Sequence, residues 1–149
     1  MPVRGIRGAV VADANTPDAI RAATGVLLRA LTDANGVDPA DIASIFFTAT
    51  PDLNAEYPAA AARELGWHEA ALMCAQEIAL PGGLPGCIRV LIHWNTDKRP
   101  DEIQHLYLGA AAQLRPDRAA PARLFPQRET IGEARDGGRA PQSASEVAS

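Results

Sequence analysis

Two charged residues stand where chains seldom place charge. Glu77 lies in the run Leu72 to Ile78, and Arg89 interrupts the apolar run Cys87 to Trp94. Both runs read as central strands, joined by a loop built on Pro81, Gly82, Gly83, Pro85 and Gly86. Burying an unpaired ion in a strand costs more than the surrounding packing returns. Two explanations stand side by side: the residues pair with each other, or they face a cavity whose occupant needs both an acceptor and a cation. In the second case the chemistry is recognition of a ligand that offers both a donor and an anionic group, for which a guanidinium fork is suited.

The remaining charge narrows the classes. Of 14 lysines and arginines only Lys98 is a lysine, and the 149 residues carry a formal net charge of −4. That leaves no basic footprint for nucleic acid, so a bound anion must be held locally by a few converging arginines. Cys74 and Cys87 make neither a disulfide framework nor a metal-binding spacing, and His68, His93 and His105 do not complete one, so no metal is expected. A content of 47% hydrophobic and 21% charged residues describes a globular domain. No run approaches the roughly 18 apolar residues of a membrane helix, and the N-terminal MPVRGIRGAVV lacks the layout of a signal peptide. The expectation is a cytoplasmic protein.

The elements that must position these groups follow from the pattern. Val3 to Val11 is a strand with Gly5, Arg7 and Ala9 on one face and Arg4, Ile6, Gly8 and Val10 on the other. Its glycines would let a ligand or another backbone approach Arg7, or mark a bulge. Thr16-Pro17-Asp18 starts a helix whose stripe is Ile20, Ala23, Leu27, Leu28 and Leu31, and Asn35-Gly36 stops it. Asp38-Pro39 opens a short helical turn before a buried strand, Ile42 to Thr48. A second helix runs from near Pro58 to Gly66 with an alanine run suited to close packing on a sheet. Asp97 to Glu102 is a polar turn, and Ile103 to Arg115 reads as a last strand with His105, Tyr107 and Arg115 on one face. The order predicts an α+β domain: a mixed five-stranded sheet with two helices packed on one face. Alanine-rich strands give one subunit a modest core, so sheets from several subunits are expected to pack together. After Asp117 the composition turns to Ala, Pro, Arg, Gly and Ser, which predicts a domain over residues 1–118 and a disordered tail over 119–149. The tail's four arginines and four acids cancel, implying no partner.

Several separated motifs then occur in one order: R-G-I-R-G-A from Arg4, A-T-P-D-L from Ala49, Y-P-A from Tyr57, R-E-L from Arg63, C-x-Q-E from Cys74, G-G-L-x-x-C-I-R from Gly82, and H-x-Y-L followed by L-R-P-D up to Asp117. Together they resemble the trimeric, monofunctional class of bacterial chorismate mutases across residues 3 to 117. The resemblance implies a trimeric pseudo-barrel with active sites between adjacent subunits. It implies the rearrangement of chorismate to prephenate, on the way to phenylalanine and tyrosine, without metal, cofactor or covalent intermediate. It makes Arg89 the cation beside the ether oxygen, with Glu77 and Cys74 at the ring hydroxyl. Arg7 and Tyr107 become carboxylate ligands, Arg63 and Arg115 close the site, Tyr57 and Leu114 form apolar walls, and Met73 is a further substrate-binding residue. Cys74 acts there through its backbone or thiol and need not be a nucleophile. One departure stands out, because relatives often carry a basic residue where this chain has Ala60.

Other readings of the same residues remain at this point. Arg89 could be the structural partner of Glu77, Arg63 and Arg115 could be solvated, and Cys74, Tyr57 and Leu114 could be core. Strict alternation sets Cys74 and Glu77 on opposite faces, so their cooperation needs a twist, bulge or strand end near Ala75. Small enamine and imine deaminases share the trimeric architecture, although the C-x-Q-E and G-G-L-x-x-C-I-R runs argue against them. A non-catalytic sensor of an acidic metabolite would keep the arginines without turning chorismate over.

Overall fold

The computed structural model describes residues 1–118, and the expected tail over 119–149 lies outside them. Among these residues five strands and two α-helices follow in the order β1 (Val3–Val11), α1 (Pro17–Asn35), β2 (Ile42–Ala49), α2 (Ala59–Glu64), β3 (Ala71–Gln76), β4 (Cys87–Asn95) and β5 (Leu106–Tyr107). They form one mixed sheet in the order β3-β2-β4-β1-β5.

The ends of α1 are set by local chemistry. Thr16 accepts the Ala19 N–H at 3.1 Å through Oγ1, and Pro17 fills the first turn, where no N–H is needed. Gly36 closes the helix in the left-handed region at φ 69°. Between these caps Ile20, Leu27, Leu28 and Leu31 are fully buried, each contributing about 1.5–3 kcal/mol of transfer free energy. They meet Ile6 and Val10 of β1, Phe47 of β2, Ile88, Val90 and Ile92 of β4, and Ala61 and Ala62 of α2 in one continuous core. Both helices therefore cover the same sheet face, as the apolar stripe and the alanine run required.

Register settles which side chains share the other face. Ala9, Arg89, Thr48 and Ala75 lie in one row across β1, β4, β2 and β3, and Arg7, Leu91, Phe46 and Met73 lie in a second. Among the described residues no α-helix covers these rows, and Phe46 (42%) and Met73 (58%) are exposed.

Two expectations change. The run Leu72 to Ile78 is not a central strand: β3 sits at the sheet edge, parallel to β2, and stops at Gln76. The segment after it crosses the end of β2, so β3 and β4 are not neighbours although consecutive in sequence. The strand foreseen over Ile103 to Arg115 shrinks to Leu106–Tyr107, after which Gly109, at φ 55°, turns the chain into a 3-10 helix over Gly109–Leu114. At Gly8 the close approach is by another backbone, one of the alternatives the sequence left open. A Cβ there would lie 2.8 Å from Leu31 Cδ1 and 3.0 Å from the Leu106 carbonyl, so the missing side chain lets α1 and β5 close on β1.

Candidate active site

At the end of the uncovered face a cavity of about 530 Å³ opens, a volume in the range of small-molecule sites. Its charged lining is Arg7 from β1, Asp52 beyond β2, Glu77 beyond β3, Arg89 from β4 and Arg115 after the 3-10 helix, beside Tyr107 of β5. Three guanidinium groups thus face two carboxylates, which leaves the walls net positive and suited to an anion.

Glu77 reaches this cavity because β3 has ended: its N–H still donates to the Ala49 carbonyl at 2.9 Å, but its side chain is released from strand alternation. Arg89 donates to it twice, Nε to Oε1 at 2.6 Å and Nη2 to Oε2 at 2.9 Å. The Thr48 hydroxyl donates to Oε1 at 2.7 Å, and the Ile78 N–H to Oε2 at 3.2 Å. Four donors fill the carboxylate's roughly four lone-pair sites. The hydrogen bond from Arg89, then that from Thr48, holds the Glu77 carboxyl below its ordinary range, and Glu77 in turn raises the Arg89 guanidinium. The pairing and the cavity, alternatives in the sequence, are both present: the Arg89 side chain is 50% exposed, and its Nη1 has no acceptor among the described residues.

Two further contacts set the frame. Thr50 Oγ1 accepts the Cys87 N–H at 3.0 Å and Asp52 Oδ2 the Gly86 N–H at 2.8 Å, which staples the end of β2 to the start of β4. The hydrogen bond from Thr50 leads in holding the Asp52 carboxyl below its ordinary value. The Arg7 N–H donates to His105 Nδ1 at 2.9 Å, so the neutral ring carries its proton on Nε2. Tyr107 is buried against Ala9, Cys87 and Ala111, and burial pushes the Cys87 thiol up to about 11. Arg115 comes to the cavity over the 3-10 turn, not along a strand shared with Tyr107, and pairs with Asp117 at 2.8 Å.

The ten site residues foreseen in the sequence divide. Arg7, Glu77, Arg89, Tyr107, Leu114 and Arg115 meet in this cavity. Tyr57, Arg63, Met73 and Cys74 meet in a second hollow of about 290 Å³, between α2 and the edge strand. Cys74 lies in the register row of Phe47 and Val90, on the helix-covered face, so within one subunit it does not join Glu77. Desolvation raises its thiol and outweighs the hydrogen bond with Ala59 and the charge of Arg63, which leaves a protonated donor, not a nucleophile. Tyr57 is 68% exposed and Leu114 39%, so neither is core.

Residues 3–118 match the family model of chorismate mutase type I. The chain belongs to that family. It is 47% identical over 116 residues to the chorismate mutase AroH of Thermus thermophilus, covering 77% of this chain and 95% of that one. It is 42% identical over 118 residues to the chorismate mutase AroH of Bacillus subtilis strain 168, covering 78% and 93%. Among solved structures it resembles a chorismate mutase from Clostridium thermocellum at 50% identity and a TM-score of 0.72, over 73% of this chain and 97% of that one. In this chorismate mutase type I chain, sequence reasoning passed over Thr48, Asp52 and His105 as parts of the site. Asp52 stood in the quoted A-T-P-D-L run and His105 in H-x-Y-L, whereas nothing local marks Thr48, which depends on its register opposite Arg89.

No helix among the described residues is long and apolar enough to cross a membrane.

Proposed function

We propose that the protein converts chorismate to prephenate in phenylalanine and tyrosine biosynthesis, as a cytoplasmic homotrimer whose sites lie between subunits. Chorismate carries two carboxylates, a ring hydroxyl and an ether oxygen. In the rearrangement the bond from that oxygen to the ring breaks as a carbon–carbon bond forms, with no proton exchanged and negative charge gathering on the oxygen. The protein has to hold the compact reactive conformer and set a cation beside the oxygen. Arg89 is that cation, its fork serving the oxygen and a carboxylate together. Arg7 and Tyr107 receive carboxylate, Glu77 accepts from the ring hydroxyl, and Leu114 and Arg115 bound the cavity.

The division of the foreseen residues between two hollows supports a composite site. The Tyr57, Arg63, Met73 and Cys74 hollow of one subunit would complete the Arg89 cavity of the next, through the uncovered sheet face. Among the described residues the Arg63 side chain has no hydrogen-bond acceptor, so its charge is available to such a neighbour. The observation that carries the assignment is Arg89, half exposed in a positively lined cavity and bidentate on a carboxylate. Spectrophotometric loss of chorismate, with prephenate as sole product, tests it; purified protein that leaves chorismate at its spontaneous rate would refute it.

A further inference from the structure

The Glu77 carboxylate is fully occupied before any substrate arrives. Oε1 accepts from Thr48 at 2.7 Å and Arg89 at 2.6 Å, and Oε2 accepts from Arg89 at 2.9 Å and the Ile78 N–H at 3.2 Å. A carboxylate offers about four lone-pair positions, so one donor must withdraw before Glu77 can accept from a ligand hydroxyl. The Ile78 N–H is backbone, and Thr48 stands in the middle of the sheet, on β2 directly opposite Arg89. Arg89 alone among these donors sits on a long, half-exposed side chain that can turn into the cavity. Once it does, Glu77 loses two of its four restraints and the counter-charge that keeps it ionised.

We propose that Thr48 is a positioning residue, whose hydroxyl keeps Glu77 in place while Arg89 is exchanged from Glu77 to the substrate. This rests on the reading of Arg89 and Glu77 given above. Thr48 does not line the cavity and touches no substrate; it acts through Glu77. Its β-branched side chain, stiff at χ1 and fixed by two flanking strands, gives the hydroxyl one direction, and a hydrogen bond to a charged group is among the stronger ones a side chain can make. The titratable and charged groups sharing the cavity wall with Glu77 are Arg7, Asp52, Cys87, Arg89, Tyr107 and Arg115. The two carboxyls of this wall are held below their ordinary values, Asp52 chiefly by the Thr50 hydrogen bond and Glu77 chiefly by that from Arg89, while burial pushes the Cys87 thiol up to about 11. Thr48 bonds to Glu77 and not to Asp52, so a difference in the acid limb between wild type and a Thr48 variant reports Glu77.

The test uses full-length Thr48→Val, Thr48→Ser and Glu77→Gln, with wild-type turnover measured alongside so that failure of the chorismate reading is visible on its own. In Thr48→Val, kcat should fall about 10-fold or more, with the acid limb of kcat/KM moved to higher pH. Thr48→Ser should keep near-normal values, and Thr48→Val should add little in the Glu77→Gln background. Carbon-13 titration of the Glu77 carboxyl should give a higher pKa in Thr48→Val than in wild type; this reading does not depend on turnover. An unshifted Glu77 titration in a folded Thr48→Val would overturn the proposal. So would a full additional loss in the Glu77→Gln background, or a Thr48→Ser as impaired as Thr48→Val.

Discussion

Arg89 keeps two of its N–H groups on Glu77 and turns the rest of its guanidinium toward the cavity, and replacement separates the two duties. Arg89→Gln retains length and some hydrogen bonding but removes the charge. Loss of one preorganised donor aimed at developing charge costs about 2.7–4 kcal/mol, or roughly 100- to 1,000-fold, and should appear mainly in kcat. Arg89→Lys should fall between, because an ammonium supplies the field without the fork. A destabilised Arg89→Gln with normal turnover would reduce the residue to a structural ion pair. The same pair predicts a pH dependence. The Glu77 carboxyl lies below its ordinary value near 4.5 in the folded chain. Its contribution to stability is therefore present above that value and lost as pH falls through the lowered one. Melting temperatures followed downward from neutral pH should show this component of acid destabilisation in wild type and not in Glu77→Gln; identical acid profiles would contradict it.

Among the elements, β1 carries the tightest constraint. Gly8→Ala would put a methyl 3.0 Å from a backbone oxygen and 2.8 Å from Leu31 Cδ1, and overpacking of this kind costs about 1–3 kcal/mol. The denaturant midpoint should drop accordingly, and an unchanged midpoint would show that α1 can withdraw freely. The elements legible in the sequence were those with local punctuation, such as α1 between Thr16 and Gly36, or the short turn Pro100–Glu102. Arg7, Glu77, Arg89 and Tyr107 could be nominated because charge or family motif marked them. Strand order was not legible: nothing local tells Leu72 to Gln76 that it will lie beside β2 at an edge and not beside β4. Nor was the end of β5, because Tyr107 to Arg115 continues the alternation while Gly109 quietly permits the turn. Thr48 stayed hidden for the same reason, since its meaning comes from a register partner 41 positions away.

For the whole molecule, the separation of Arg63, Met73 and Cys74 from Arg89 makes complementation a direct test of the shared site. Arg63→Ala and Arg89→Gln should each be nearly inactive as homotrimers. Unfolded and refolded together, they should regain part of the wild-type turnover, because some mixed trimers hold one site with both arginines intact. No recovery in mixed trimers verified by mass would place the whole site within one subunit. Light scattering should report three chains for the active species.

The bare side of the sheet has a consequence for how such a protein is handled. Among the described residues, a lone subunit shows Val3 (52%) on β1 and Phe46 and Met73 near the open edge of β3 to water, a surface that invites strand-to-strand adhesion. Assembly and folding would then be linked by mass action. The melting temperature should climb with protein concentration, and very dilute samples should be lost to precipitation or to the walls of the tube before they are lost to simple unfolding.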